Sequence, residues 1–384
     1  MSGALKTAAA VLRATGEPLS VEEVDLDPPG RHEVLVRIAA SGVCHSDFNA
    51  ASGASATALP AVLGHEGSGV VEEVGEGVSS VVPGDTVVLS WLPACGRCRA
   101  CTSGRPELCE GAMSQMATGS LPGGEGRLSA GGQRLHHYSY LSTFARHAVV
   151  SERSCIKLAP GTDTDVAALV GCAAMTGFGA VVNRAKVQAG ASVVVFGAGG
   201  VGLSAIMAAR LVGAEAIIAV EPQASRRALA LEVGATAALD SSPLDVAEAI
   251  LEHTGGGADY AFEAVGRCEL VATAFSVTRP GGMIVAVGVP PDGSLVELPG
   301  PELTRSEKVV TGTLYGSARP ALDMPLILRL YEQGRLPLDK LAGRRFRLDQ
   351  VNEAFSEMRR GVGTRAILHP QETFGAKEDE EPRC

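Results

Sequence analysis

Six cysteines and one histidine stand where their spacing could hold metal. Val43-Cys44-His45-Ser46-Asp47 sets a thiol near a carboxylate, and Gly64-His65-Glu66 sets an imidazole beside another. Thiolate and imidazole are ordinary zinc donors, and Asp47 and Glu66 are of the type that orients or tunes such donors. Alone, this pair also fits a small buried thiol and a core histidine. A sharper pattern is Cys95-Gly-Arg-Cys98-Arg-Ala-Cys101, with seven residues between Cys101 and Cys109. Four thiolates so close in sequence can complete a tetrahedral zinc shell with no open position, which makes a structural site. The spacing also suits an iron–sulfur cluster or redox thiols, but no other electron-transfer feature accompanies it. Structural zinc is therefore the reading adopted, holding an otherwise coreless lobe at about 93–112 by on the order of 10 kcal/mol.

A second kind of chemistry begins at Gly197-Ala-Gly199-Gly200-Val201-Gly202. The motif follows Ser192 to Phe196, a run that reads as a buried strand, and opens a helical segment. In that setting the glycines allow a tight turn, approach of a pyrophosphate to backbone N–H groups, and close helix–strand packing. Glu221 stands nineteen residues after Gly202, at the end of the next strand. An acid there accepts hydrogen bonds from ribose hydroxyls and repels a 2′-phosphate, which favours NAD over NADP. Arg226 and Arg227 are the counter-indication, because either could serve a phosphate. Cys172, in Leu169-Val-Gly-Cys-Ala-Ala-Met-Thr176-Gly177, lies just before this unit. Its apolar setting suits a buried thiol. Its place at the junction makes it a candidate third ligand with Cys44 and His65, leaving a fourth position open as catalytic zinc requires.

The elements that must position these groups fall into two kinds. Residues 7–13, 33–40, 70–74 and 86–89 read as short strands separated by turns such as Asp-Pro-Pro-Gly at 27–30 and Pro83-Gly84-Asp85. After residue 160 strands and helices alternate: helix at 165–182, strands at 192–196, 216–220, 260–263 and 283–289, helix at 225–233. That alternation signals a parallel sheet covered by helices. From about Tyr315 the pattern turns back, with helices at 325–333 and 348–360 and strands at 345–348 and 365–368. The last sixty residues are expected to rejoin the first unit, since so few elements make a poor domain alone. The glycine-rich stretch 114–136 reads as a mobile surface loop, and the tail beyond Pro370 as frayed.

Composition sets outer bounds. The chain has 384 residues, more than one core usually holds, with 46% hydrophobic and 20% charged residues. A formal net charge of −10 without a basic cluster argues against nucleic acid and anionic membrane as partners. No signal peptide is recognisable, and the longest apolar stretch, 166–182, is judged too short to span a bilayer. Nine cysteines without an export signal point to metal or catalytic use. A cytoplasmic protein is expected.

Taken together, these motifs resemble the zinc-dependent medium-chain alcohol dehydrogenases over residues 7 to about 370. The resemblance rests on Gly42-Val-Cys44-His45-Ser46-Asp47, Gly64-His65-Glu66-Gly-x-Gly69-Val-Val, Pro83-Gly84-Asp85, the four-cysteine lobe, Thr176-Gly177-x-Gly179, the glycine motif, and Gly363-x-Arg365. It implies an α/β fold with a β-rich GroES-like catalytic domain (1–173 and 315–384) and a Rossmann doubly wound parallel-sheet cofactor domain (174–314). It implies two zinc ions per chain: a catalytic one on Cys44, His65 and Cys172, and a structural one on Cys95, Cys98, Cys101 and Cys109. Glu66 and Asp47 would stand behind the catalytic ligands. By the same resemblance Ser46 bonds the alcohol oxygen, His45 and Arg365 meet the pyrophosphate, Thr176 and Val201 pack near the nicotinamide, and Trp91 walls the substrate pocket. The stretch 114–136 resembles an insertion of the dimeric members, so a homodimer through the 283–289 edge is expected.

Two departures from the family qualify this. Asn49 stands where many members carry the histidine that ends the proton relay, and an amide cannot accept that proton. Met113 stands where the thiol-adduct formaldehyde dehydrogenases carry an arginine, and residues 50–59 hold no charge, which favours an uncharged alcohol or aldehyde. The expected activity is NAD-dependent oxidation of a primary or secondary alcohol. A thiol-adduct formaldehyde dehydrogenase and a catalytically silent zinc- and nucleotide-binding protein are the competing readings.

Overall fold

The computed structural model describes residues 3–241, 246–361 and 363–372, which arrange into three sheets. The six-stranded sheet is wholly parallel. Its strands, numbered by sequence, lie in the order 3-2-1-4-5-6: Ala237–Leu239, Ala216–Val220, Ser192–Phe196, Ala258–Glu263, Thr278–Ala286 and Val309–Gly312. The central strand Ser192–Phe196 is buried at every position, as a strand covered on both faces must be. The order reverses between Ser192–Phe196 and Ala258–Glu263. The crevice beyond their carboxyl ends is where such sheets take ligands.

A seven-stranded sheet joins the ends of the chain. Glu33–Gly42 sits in its middle, paired with Glu66–Val74, His147–Ser151 and Arg365–His369. Ala342–Arg347 follows Arg365–His369 in parallel, so these two late strands extend the sheet built on Glu33–Gly42. A closed barrel of Leu5–Leu12, Ser20–Leu26, Leu128–Ala130, Gln133–His137 and Ala61–Val62 completes that unit.

One helix, Thr164–Ala185, connects the two large sheets. Its Val166, Leu169, Met175 and Phe178 share one core with Val193, Val195 and Ile206 from the parallel-sheet side and Met324 and Ile327 from the returning chain. It is 22 residues long and apolar enough to cross a membrane, so the length argument from sequence does not hold. Of its most apolar window 83% is buried inside the protein, which identifies it as a core helix. Two π-helical segments interrupt it, Val170–Ala174 and Ala180–Ala185.

Two further expectations are corrected, and one strand not expected from the sequence is found. The stretch 114–136 is not a loose loop: Leu128–Ala130 and Gln133–His137 form a hairpin, and Leu121, Leu128 and Leu135 fill the barrel against Val11 and Leu26. The strand Ser20–Leu26 was hidden by its charges, because only Val24 and Leu26 point inward. The strand at 283–289 runs from Thr278 to Ala286 and is no edge, since Val309–Gly312 pairs along its outer side. The expected fraying beyond Pro370 falls mostly on 373–384, outside the described residues.

Candidate active site

Cys44 is the N-cap of the helix His45–Ser52, and Asp47 in its first turn folds back to accept from Cys44 N at 3.0 Å. The same carboxylate accepts from Gly64 N at 3.1 Å and lies 3.0 Å from His65 Nδ1. One fully buried acid thus fixes the backbone before both residues and leaves the other ring nitrogen of His65 for a ligand role. Cys172 comes from the π-helical turn Val170–Ala174, a distortion often found at functional positions. A sulfur from each cysteine, a ring nitrogen of His65 and a carboxylate oxygen of Glu66 all lie within 4.8 Å of one another.

The electrostatics of this group suit a cation. The hydrogen bond with Cys172 and the Arg365 charge hold the Cys44 thiol well below its usual range, while the same hydrogen bond and burial push Cys172 up. Burial opposes a charge on His65, but Asp47 outweighs it and raises the imidazole. Burial pushes Glu66 up to about 8, although Arg365 Nη2 lies 3.7 Å away. Both Glu66 oxygens are buried without a hydrogen-bond partner. Cys44 is thus driven toward the thiolate, while Cys172, His65 and Glu66 are driven toward their protonated forms, whose protons a divalent cation would displace. Two sulfurs and an imidazole with an acid behind them fit zinc.

The four-cysteine lobe is built locally. Its sulfurs also lie within 4.8 Å of one another. Backbone amides aim at them: Cys95 N is 3.2 Å from Cys109 Sγ, and Cys98 N is 3.3 Å from Cys95 Sγ. Such N–H groups, from Arg97 and Cys98, bring the Cys95 thiol down to about 6, whereas burial pushes Cys101 up to about 12. Only short helical turns (Arg99–Thr102, Pro106–Leu108, Glu110–Gln115) surround the sulfurs. The donor set fits a closed zinc shell.

The glycine motif lies beside the first cluster. Gly197 takes φ +91°, and a Cβ there would stand 2.6 Å from Val265, while Gly202 packs on the carbonyl of Gly197. Gly199 faces open space. His45, Arg226 and Arg365 line one cleft with Gly199, Gly200 and Thr364. Glu221 is buried and already engaged by the chain, accepting from Ala198 N at 2.9 Å and Gln223 N at 3.1 Å. Arg227 turns away: it donates to the carbonyls of Glu221 and Pro222 and pairs with Asp240 at 3.1 Å. Of the two arginines, only Arg226 lines the cleft.

Ser46 is exposed, its Oγ 3.8 Å from Cys44 Sγ. Thr176 is buried on the Cys172 helix, and Gly177 beside it lets the carbonyl of Val201 approach closely. Trp91 is half-buried and packs on Tyr315, ring centroids 4.4 Å apart. The Tyr315 hydroxyl donates to the carbonyl of Gly171, next to Cys172. Asn49 is half-buried, and Met113 is exposed on the lobe's last helix. Sequence reading missed Tyr315 and also Tyr138, whose ring meets His65 edge-on at 5.7 Å. Both sit on turns where no periodicity marks a residue as inward-facing.

Comparison with known proteins shows the family. The family model described as alcohol dehydrogenase GroES-like domain matches residues 30–160, and the one described as zinc-binding dehydrogenase matches 200–333. The chain is 40% identical over 368 residues to an NDMA-dependent alcohol dehydrogenase of Amycolatopsis methanolica, covering 95% of this chain and 99% of that one. A zinc-binding-domain alcohol dehydrogenase from Burkholderia ambifaria superposes with TM-score 0.92 at 38% identity, covering 95% and 99% of the two chains. Benzyl alcohol dehydrogenase from Acinetobacter calcoaceticus superposes with TM-score 0.91 at 34% identity over the same shares.

Proposed function

Given that this chain belongs to the zinc-dependent medium-chain alcohol dehydrogenases, we propose that it oxidises a primary or secondary alcohol with NAD as hydride acceptor, reversibly, at the Cys44–His65–Cys172 cluster. In the balanced reaction the alcohol loses a hydride to the nicotinamide and a proton to the protein, leaving an aldehyde or ketone. The observation that carries the reading is Arg365. It lies 3.7 Å from Glu66 and about a side chain's contact from Gly200, so metal-type donors and nucleotide loop meet across one residue. Zinc in the cluster would supply Lewis-acid polarisation of the substrate oxygen, and NAD the redox chemistry.

The chain's own residues do the rest. Asp47 fixes Cys44 and His65, and Glu66 stands behind them with Arg365. Ser46, exposed beside Cys44, takes the alcohol proton and passes it outward; Asn49 cannot finish that relay, so solvent or His45 does. Arg226, Arg365 and the N-terminus of Gly200–Leu211 provide positive charge for a pyrophosphate, and His45, whose pKa burial lowers, offers a neutral imidazole. The engaged Glu221 presents a buried negative charge where a 2′-phosphate would come, which supports NAD over NADP. Thr176 and Val201 flank the nicotinamide, and Trp91 on Tyr315 walls the alcohol site. The four-cysteine lobe holds the second, structural zinc. The catalytic domain comprises 1–173 and 315–384, the cofactor domain 174–314, and the setting is cytoplasmic.

A homodimer is part of the proposal, through the edge strand Val309–Gly312, where Val309 and Val310 are 44% and 37% exposed. A tetramer by mass measurement overturns it.

The function is tested by NADH formation over aliphatic, allylic and benzylic alcohols, with NAD or NADP, with and without thiol. One arm adds NDMA, because a relative carries that dependence in its name. Turnover with NAD and no thiol is expected. Preference for NADP refutes the cofactor assignment, and a thiol requirement refutes the substrate class.

A further inference from the structure

A strained turn packs beside the metal-type cluster. Between the strand Gln133–His137 and Phe144, three residues other than glycine take left-handed backbone: Ser139 at φ 48°, Tyr140 at 62° and Ser142 at 55°. Side chains disfavour that region, so such a run persists only where its surroundings enforce it. Here Tyr138 N donates to Ser142 Oγ at 3.1 Å, Ser142 Oγ to Val62 O at 2.9 Å, and Thr143 N to Gly64 O at 3.0 Å. The turn is stitched onto the segment that leads into His65.

Its two tyrosines reach in different directions. The Tyr138 ring stands edge-on to His65 at 71°, and its hydroxyl donates to the carbonyl of Ser46 at 2.9 Å. Tyr140 is buried, and its hydroxyl donates to the carbonyl of Ala112. Ala112 lies in Glu110–Gln115, the helix that starts immediately after Cys109. A continuous path therefore runs from the four-cysteine lobe through Tyr140, the left-handed turn and Tyr138 to both Ser46 and His65.

We propose that this turn is a tether by which the four-cysteine lobe positions the proton-accepting Ser46, with Tyr138 and Tyr140 as positioning residues. The Ser46 hydroxyl is exposed and, among the described residues, has the Cys44 thiol at 3.8 Å as its one side-chain hydrogen-bond partner, so its place depends on how firmly its backbone is held. Tyr138 supplies that hold from outside the helix, and the lobe anchors Tyr138. The lobe thereby contributes to the reaction without touching substrate. The inference rests on the proposed role of Ser46 as first proton acceptor.

The test uses Tyr138→Phe, Tyr140→Phe and the double variant in the full chain, each substitution deleting one hydroxyl and keeping its ring. Tyr138→Phe should lower kcat about tenfold with an unchanged KM for the alcohol, since modest misplacement of a reacting group costs this much or more. Its solvent deuterium isotope effect on kcat should rise, and zinc should stay at two per chain. Tyr140→Phe should give the same signature at about threefold. The double variant should be no slower than Tyr138→Phe, because both substitutions cut one path. Multiplicative losses, a wild-type result for either single variant, or loss of zinc overturns the tether. Ser46→Ala is measured alongside. If it keeps full activity, the role of Ser46 fails and the tether with it. If it loses activity while the tyrosine variants do not, the tether alone fails.

Discussion

The four-cysteine lobe and the Cys44–His65–Cys172 cluster use similar donors but are assembled by opposite means. The lobe draws its sulfurs from residues 95 to 109, within a few short turns whose own amides point at the sulfur atoms. The cluster draws on a helix N-cap, a residue leading into a strand and a π-helical turn, with Asp47 bridging the first two. The lobe needs little beyond its own chain to bring its ligands together. The cluster exists only once the seven-stranded sheet and the helix Thr164–Ala185 have docked. Local assembly suits a site that contributes stability. Assembly at a seam suits a site that must face both a substrate and a nucleotide.

Exchanging one ligand in each region tests that division. Cys44→Ala should reduce kcat at least about 10³-fold, equivalent to about 4 kcal/mol, and metal analysis should fall from two zinc ions to one. Its Tm should move by only a few degrees. Cys98→Ala should lose the other ion, with Tm falling by on the order of 10 °C, since a loss on the order of 10 kcal/mol is set against an unfolding entropy of roughly 0.8 kcal/mol/K for a 384-residue chain. Its kcat per folded molecule should fall less than about tenfold. Calorimetry and metal analysis on the same samples decide. If the two variants exchange signatures, the assignment of structure to one site and chemistry to the other is wrong.

The same contrast explains what the sequence makes legible. Cys95 to Cys109 and Gly197 to Gly202 announce themselves because their chemistry depends on local spacing: the four sulfurs lie within 4.8 Å of one another, and the glycines join Ser192–Phe196 to Gly200–Leu211. The parallel sheet is legible because burial on both faces leaves unbroken apolar runs such as Ser192–Phe196. The barrel is not, because Ser20–Leu26 and the 128–137 hairpin turn only a few leucines and valines inward and charges or glycines outward. The edge strand Val309–Gly312 is short and exposed, so it carries little pattern. The Tyr138–Ser46 and Tyr315–Gly171 contacts join residues 92 and 144 positions apart, and Arg365 approaches Glu66 from the far end of the chain; single-sequence patterning has no record of such meetings.

Asp47 offers a subtler probe. It touches no substrate and supports both Cys44 and His65. Asp47→Asn keeps the shape while removing the charge behind the imidazole. Zinc affinity at the cluster should weaken about 10- to 100-fold, the usual cost of losing a supporting carboxylate. Competition with a chelator should strip one ion early and leave the lobe's ion at its wild-type concentration. Equal loss from both sites would show that the cluster and the lobe are not independently held.

The smallest expected effect concerns how the Cys172 helix is docked. Asp165, in its first turn, lies 2.9 Å from His369 Nε2 and 2.7 Å from Arg345 Nη2, on the two strands that return beside Glu33–Gly42. The histidine contact is an ion pair without hydrogen-bond alignment. Burial works against the Asp165 charge, but His369 and Arg345 outweigh it and lower its pKa. The contact with Asp165 raises that of His369, despite burial. A lowered acid contributes stability above its unfolded pKa, which is lost as pH falls through its folded pKa. A raised imidazole contributes fully below about 6.5 and loses that as pH rises through its folded pKa. Both contributions are present between about pH 4 and 6.5. Because Arg345 and His369 are partly solvated, the histidine's share should be under about 1 kcal/mol. The Tm difference between the parent and His369→Asn should be largest near pH 5.5 and shrink toward pH 9. A difference constant across that range would mean that His369 supports the helix carrying Cys172 by packing rather than by its charge, leaving the Arg345–Asp165 pair as the charged contact at that seam.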